Sequence, residues 1–188
     1  MTQKVKACLG VAALVLIIVI AVAAHSTLAG RVSPPAHIVL PEDDAVTRQR
    51  APDFALTDSD GNALRFSDII AEGKPVVLNF WASWCPSCRM ETPGFDRVYR
   101  DRGDEVRFVM LNLTDGVRET VQSGQRYIQE GGFVLPVYFD TLQEGLITYG
   151  IRFIPVTLFI DREGYVITSM QGAVDEVTLR TIIDFMVQ

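Results

Sequence analysis

The chain has 188 residues, with 17 basic and 23 acidic side chains and a net charge of −6. That length accommodates one domain with appendages. No run of five basic residues occurs, which argues against nucleic acid as a partner; the acidity serves solubility.

Lys4 and Lys6 precede an uncharged, apolar or small-residue stretch from Ala7 to Ala24. Eighteen such residues, at about 1.5 Å each, nearly cover a hydrocarbon core of about 30 Å. The segment 1–30 therefore reads as a single membrane anchor, with a cleaved export signal as the alternative, because Ala21-Val22-Ala23 could serve as a cleavage site. Either way the lysines stay inside and the rest of the chain lies outside the cytoplasm. Cys8 precedes the apolar run, a poor position for a lipoprotein cysteine, and reads as a small residue of the membrane helix. The two lysines are the only charges in residues 1–30, so the exported remainder carries 15 bases against 23 acids, about −8. Residues 31–50 form a linker, stiffened by Ser33-Pro34-Pro35 and solvated by Glu42, Asp43, Asp44, Arg48 and Arg50. Residues 51–188 form the domain.

Within it, Phe54, Leu56, Leu64 and Phe66 alternate with polar residues about Asp60-Gly61-Asn62, a hairpin pattern. A helical turn at Ser67–Ile70 follows. Val76–Phe80 is a continuous apolar run, the mark of a strand buried on both faces. A helix is predicted over Pro86–Arg102, with Pro86 in its first turn and a kink at Pro93. Then come a strand at Val106–Leu113, a helix at Val117–Glu130 stopped by Gly131-Gly132, a short strand at Val137–Asp140 and a helix at Gln143–Tyr149. Two β runs, Val156–Ile160 and Tyr165–Met170, flank the turn Asp161–Gly164. An amphipathic helix over Val174–Val187 closes the chain. This order predicts an α/β fold, a mixed central sheet flanked by helices.

Trp84-Cys85-Pro86-Ser87-Cys88 stands where the Val76–Phe80 strand feeds a helix. Two thiols three residues apart at a helix start share one face, and their Cα atoms fall inside the window of about 4.4–6.8 Å that a disulfide requires. The unpaired N–H groups of the helix aim at the first sulfur and favour its thiolate, the reactive form. A C-x-x-C beside such a strand-helix unit reads as a redox motif. A structural zinc site needs four ligands. His25, His37 and Cys8 all precede the domain, so no metal and no cofactor beyond the Cys85–Cys88 pair is expected. A purely structural bridge closing so short a loop would restrain the unfolded chain little.

Trp81-Ala82-Ser83-Trp84-Cys85-Pro86-Ser87-Cys88 resembles the active-site motif of the thioredoxin fold. Ile154-Pro155-Val156-Thr157 resembles that family's cis-proline loop. Together with Cys88–Pro93 and the long segment from Asp115 to Gly150, they look like membrane-tethered extracytoplasmic disulfide reductases of the ResA, TlpA and CcmG type. The resemblance implies that Cys85 is the exposed nucleophile and that Cys88, buried below it, resolves the mixed disulfide. It implies a cis Pro155 opposite the sulfurs, with the Ile154 backbone pairing to substrate, and Trp84 and Pro86 beside the same site. Glu91, one turn beyond Cys88, is then either a proton acceptor for it or a solvated helix carboxylate. Asn79 stands where cytoplasmic thioredoxins carry a buried acid. The implied partners are disulfide-bearing exported proteins, such as haem-binding Cys pairs in cytochrome c maturation, and a transmembrane electron donor, with the protein itself a monomer. A disulfide oxidase would share the motif and differ in potential. A thiol peroxidase wants Thr where Ala82 stands, and a tethered binding module would tolerate loss of Cys85.

Overall fold

The computed structural model describes residues 48–188. The expected membrane span, Cys8 and most of the linker lie outside them. Among the described residues no helix is long and apolar enough to cross a membrane.

In chain order the elements are β1 (Ala55–Thr57), β2 (Ala63–Arg65), α1 (Phe66–Ile70), β3 (Val76–Trp81), α2 (Pro86–Arg102), β4 (Arg107–Asn112) and α3 (Val121–Glu130). There follow β5 (Val137–Phe139), α4 (Glu144–Thr148), β6 (Val156–Ile160), β7 (Val166–Gln171) and α5 (Glu176–Met186). The strands form one sheet in the order β2-β1-β5-β4-β3-β6-β7. β3, β4 and β5 run parallel, while β6 and β1 join them antiparallel on the two sides. This is the expected mixed sheet of a thioredoxin-like fold.

Side chains alternate across a strand, and that period sorts the core. From β3, Val76, Leu78 and Phe80 enter one cluster with Phe54, Phe66 and Ile69. Val77 and Trp81 enter the other, with Phe95 and Val98 of α2 and Leu179, Ile182 and Ile183 of α5. Asn79 lies between Val77 and Trp81, so it must point toward α2. By the same alternation Thr157 of β6 and Asn112 of β4 face that side. A strip of polar side chains thus runs under the start of α2 in an otherwise apolar layer.

Two local features, the start of α3 and the start of the domain, differ from the sequence pattern. α3 begins at Val121, four residues later than predicted, because Thr120 and Ser123 form a reciprocal cap. The four residues before it are held in a turn in which Asp115 Oδ1 accepts the N–H groups of Val117, Arg118 and Glu119. α2 spans the predicted Pro86–Arg102, and within it the Thr92 hydroxyl donates to the Cys88 carbonyl at 2.7 Å. Finally, the chain meets the sheet before Ala51: Val166 N–H donates to the Gln49 carbonyl, and the Arg48 and Arg50 guanidinium groups stack on Tyr165.

Candidate active site

β3 delivers the chain to Trp81, and the turn Ala82–Trp84 brings Cys85 to the N-cap of α2. Cys85 has extended backbone (φ −80°, ψ 116°), and Pro86 occupies the first turn, where a missing N–H leaves no bond unmade. Cys85 and Cys88 form a disulfide with Cα atoms 5.3 Å apart. The Cys88 N–H donates to Cys85 Sγ at 3.2 Å, so the first sulfur sits against the positive end of the helix. Cys85 Sγ also lies 3.8 Å from the Ile154 carbonyl oxygen; in the disulfide this is a contact, since that sulfur carries no proton. The Ile154–Pro155 peptide is cis.

Cys85 is less exposed than the resemblance implied. Cys88 is buried as expected, at 1% exposure, but Cys85 is itself only 4% exposed. The helix end on one side and the Ile154 carbonyl on the other cover it. It opens instead onto a groove of about 530 Å³. Trp84, Pro86, Leu146, Phe153 and Ile154 line that groove, and Cys88 does not. The predicted residues Trp84, Cys85, Pro86 and Ile154 therefore share one surface, with Pro155 buried beside it.

Glu91 lies behind this surface and is buried, not solvated. Asn79 Nδ2 donates to its Oε1 at 2.9 Å and the Val174 N–H to its Oε2 at 2.8 Å. Burial is the dominant influence and pushes the carboxyl up to about 7, against the lowering effect of these two donors. Asn79 Nδ2 also donates to Thr157 Oγ1 at 3.0 Å, while Asn79 Oδ1 has no hydrogen-bond partner among the described residues. A half-turn of this amide would offer Oδ1 to a protonated Glu91. The strip can thus follow the protonation state of Glu91, one helical turn from Cys88. Its pKa near neutrality suits a proton acceptor.

A second buried carboxyl escaped the sequence reading. Glu119 is 0% exposed. It accepts the Ser83 hydroxyl at 2.7 Å and Asn112 Nδ2 at 2.8 Å, so it ties the turn after β4 to the loop that carries Cys85. Next to it the Arg118 guanidinium lies 3.4 Å over the Trp84 ring. Asp115-x-x-x-Glu119-Thr120-x-x-Ser123 was the available signal: an acid able to gather successive N–H groups ahead of a capping pair.

Comparison with known proteins agrees with this geometry. The model of the AhpC/TSA family matches residues 47–169. The thiol-disulfide oxidoreductase ResA of Geobacillus kaustophilus is 34% identical over 125 residues, 65% of this chain and 67% of that protein. ResA of Bacillus subtilis is 32% identical over 127 residues, covering 67% and 68% respectively. Among solved structures, the pneumococcal exposed lipoprotein thioredoxin Etrx1 of Streptococcus pneumoniae aligns with a TM-score of 0.59 at 30% identity, covering 71% of this chain and 99% of that one. With a Cys-x-x-Cys disulfide at a helix N-terminus, beside a cis-proline loop, the chain belongs to the AhpC/TSA family and is a thiol-disulfide oxidoreductase of the ResA type.

Proposed function

We propose that the protein reduces disulfides in exported proteins, outside the cytoplasm and tethered to the membrane. The observation that carries this reading is the asymmetry of the two sulfurs: Cys85 opens onto the groove and Cys88 does not. In the reduced protein the Cys85 thiolate, held by the Cys88 N–H, attacks one sulfur of the substrate disulfide. The other substrate sulfur leaves as a thiolate and takes up a proton. Cys88 then gives its proton to the Glu91 carboxylate and attacks Cys85 Sγ. The second substrate thiolate is released, and the Cys85–Cys88 disulfide holds the two-electron oxidation. A transmembrane electron donor returns the pair to the dithiol.

Support for the reductive direction comes from Ile154 before Pro155, as in reducing thioredoxins, and from the resemblance to disulfide reductases. Support for export comes from the uncharged run Ala7–Ala24 behind Lys4 and Lys6, and from the similarity to a protein described as an exposed lipoprotein. Cysteine pairs awaiting haem attachment are a substrate class that fits such a location. The Cys88→Ser variant tests the order of events. It should accumulate mixed disulfides through Cys85, whereas Cys85→Ser should not; the reverse pattern refutes the assignment. Equilibration of the wild type with glutathione buffers should give a potential below about −180 mV, nearer the thioredoxin value of about −270 mV than the oxidant value of about −120 mV.

A further inference from the structure

Most cations on this domain are already engaged. Arg48, Arg65, Arg97, Arg100, Arg102, Arg107 and Arg180 each form an ion pair with a carboxylate. Among the described residues, four arginines, Arg118, Arg126, Arg152 and Arg162, have neither an ion pair nor a hydrogen-bonded acceptor, and of these Arg118 and Arg152 stand at the groove over Cys85. Arg152 lines it directly, and Arg118 lies on the ring of Trp84, which lines it too. A guanidinium stacked on an indole keeps its N–H donors in the ring plane, free to fork a carboxylate. The one acid lining the groove, Asp115, spends Oδ1 on the three N–H groups of its own turn. Asp115 stays ionised, so Arg118 and Arg152 against Asp115 leave the groove and its rim one positive charge in excess, on a domain with an excess of acid. Between the two arginines its wall is apolar, with Phe153 74% exposed and Trp84 38% exposed.

We propose that this groove selects polypeptide segments in which the cysteine to be attacked is flanked by an apolar residue and, within a few positions, a carboxylate. The apolar side chain lies against Trp84, Phe153 and Ile154, and the carboxylate is taken by Arg118 or Arg152. The proposal rests on the oxidoreductase reading of the site and adds to it the class of partner.

The test uses the full-length reduced protein and a set of disulfide-closed peptides. They share one sequence with an apolar residue beside the cysteine, and carry Glu, Gln or Lys at the two flanking positions. Reduction is followed in single turnovers by tryptophan fluorescence. The Glu peptide should react about ten-fold faster than the Lys peptide at low salt, since each exposed charge contact is worth only a few-fold. The ratio should shrink from about 0.01 M to 1 M salt, as the screening length falls from about 30 to about 3 Å. Combined Arg118→Gln and Arg152→Gln substitution should bring the ratio to about two or below. Arg126→Gln with Arg162→Gln, two arginines on other parts of the surface, should leave it unchanged. Equal rates for the three peptides, or a ratio that responds equally to both variant pairs, overturns the proposal and leaves the oxidoreductase reading intact. Failure to reduce any peptide overturns both.

Discussion

Replacing Glu91 by Gln should remove a pH dependence from the stability of the oxidised fold. Burial raises the folded-state pKa of Glu91 from 4.5 to about 7. The folded chain therefore holds a proton that the unfolded chain has already released. With a raised folded value, the contribution of Glu91 is fully present below about pH 4.5 and is lost as pH rises through about 7. A shift of about 2.5 units, at about 1.36 kcal/mol per unit, amounts to about 3 kcal/mol across that window. Gln is accommodated: its carbonyl accepts the Val174 N–H, and its amide donates to Asn79 Oδ1 once the Asn79 side chain turns over. The Thr157 hydroxyl then donates to the same oxygen. Urea unfolding of wild type and variant at intervals from pH 4 to 8 measures the effect. The wild type should lose about 3 kcal/mol relative to Glu91→Gln, most of it between pH 4.5 and 7. Parallel stability curves would refute both the burial argument and a Glu91 that accepts protons near neutrality.

The same variant should lose the limb of the pH–rate profile that rises through about pH 7 in the wild type, because only ionised Glu91 takes the Cys88 proton; stopped-flow release of substrate thiol reads this. Glu119→Leu should cost about 2–4 kcal/mol, since it strands buried Asn112 Nδ2 and the Ser83 hydroxyl, with most of that recovered in Glu119→Gln; chemical denaturation distinguishes the two. Gly124→Ala places a methyl 2.9 Å from Asn112 Nδ2 and 3.0 Å from Phe139 Cε1. This crowding should destabilise the fold by about 1–3 kcal/mol, seen as a lowered melting temperature.

The cysteine pair, the strand that feeds it and the helix it caps are local, and each was legible from a few consecutive residues. So were the hairpin and the order of strands and helices. The polar strip was not. Asn79 and Glu91 lie 12 residues apart, and Asn79 and Thr157 are 78 apart. Their meeting depends on the Asn79↔Thr157 register of β3 with β6 and on which face of α2 turns inward. Spacing alone placed Glu91 one turn from Cys88 and left open whether water or protein surrounded it. Glu119 was hidden differently. A continuous helix from Val117 would have turned it on a helical period, whereas the Asp115 turn holds it outside the helix and directs it at Ser83. Arg118 and Arg152 are two among many arginines in the sequence; only their place at the groove, unpaired, makes them distinctive.

The covering of Cys85 also dictates how electrons pass through the protein. One sulfur is reachable, and from one side. In the proposed mechanism the oxidised pair is therefore rescued through the same groove that the reduced pair uses to attack its substrate. Donor and acceptor cannot be bound together, so each must depart before the other arrives. Turnover is then ping-pong, with parallel double-reciprocal plots, and each partner inhibits competitively against the other's form of the enzyme. The two partners, which never meet, would face a common demand: each has to present its cysteine on a segment shaped for the same narrow berth.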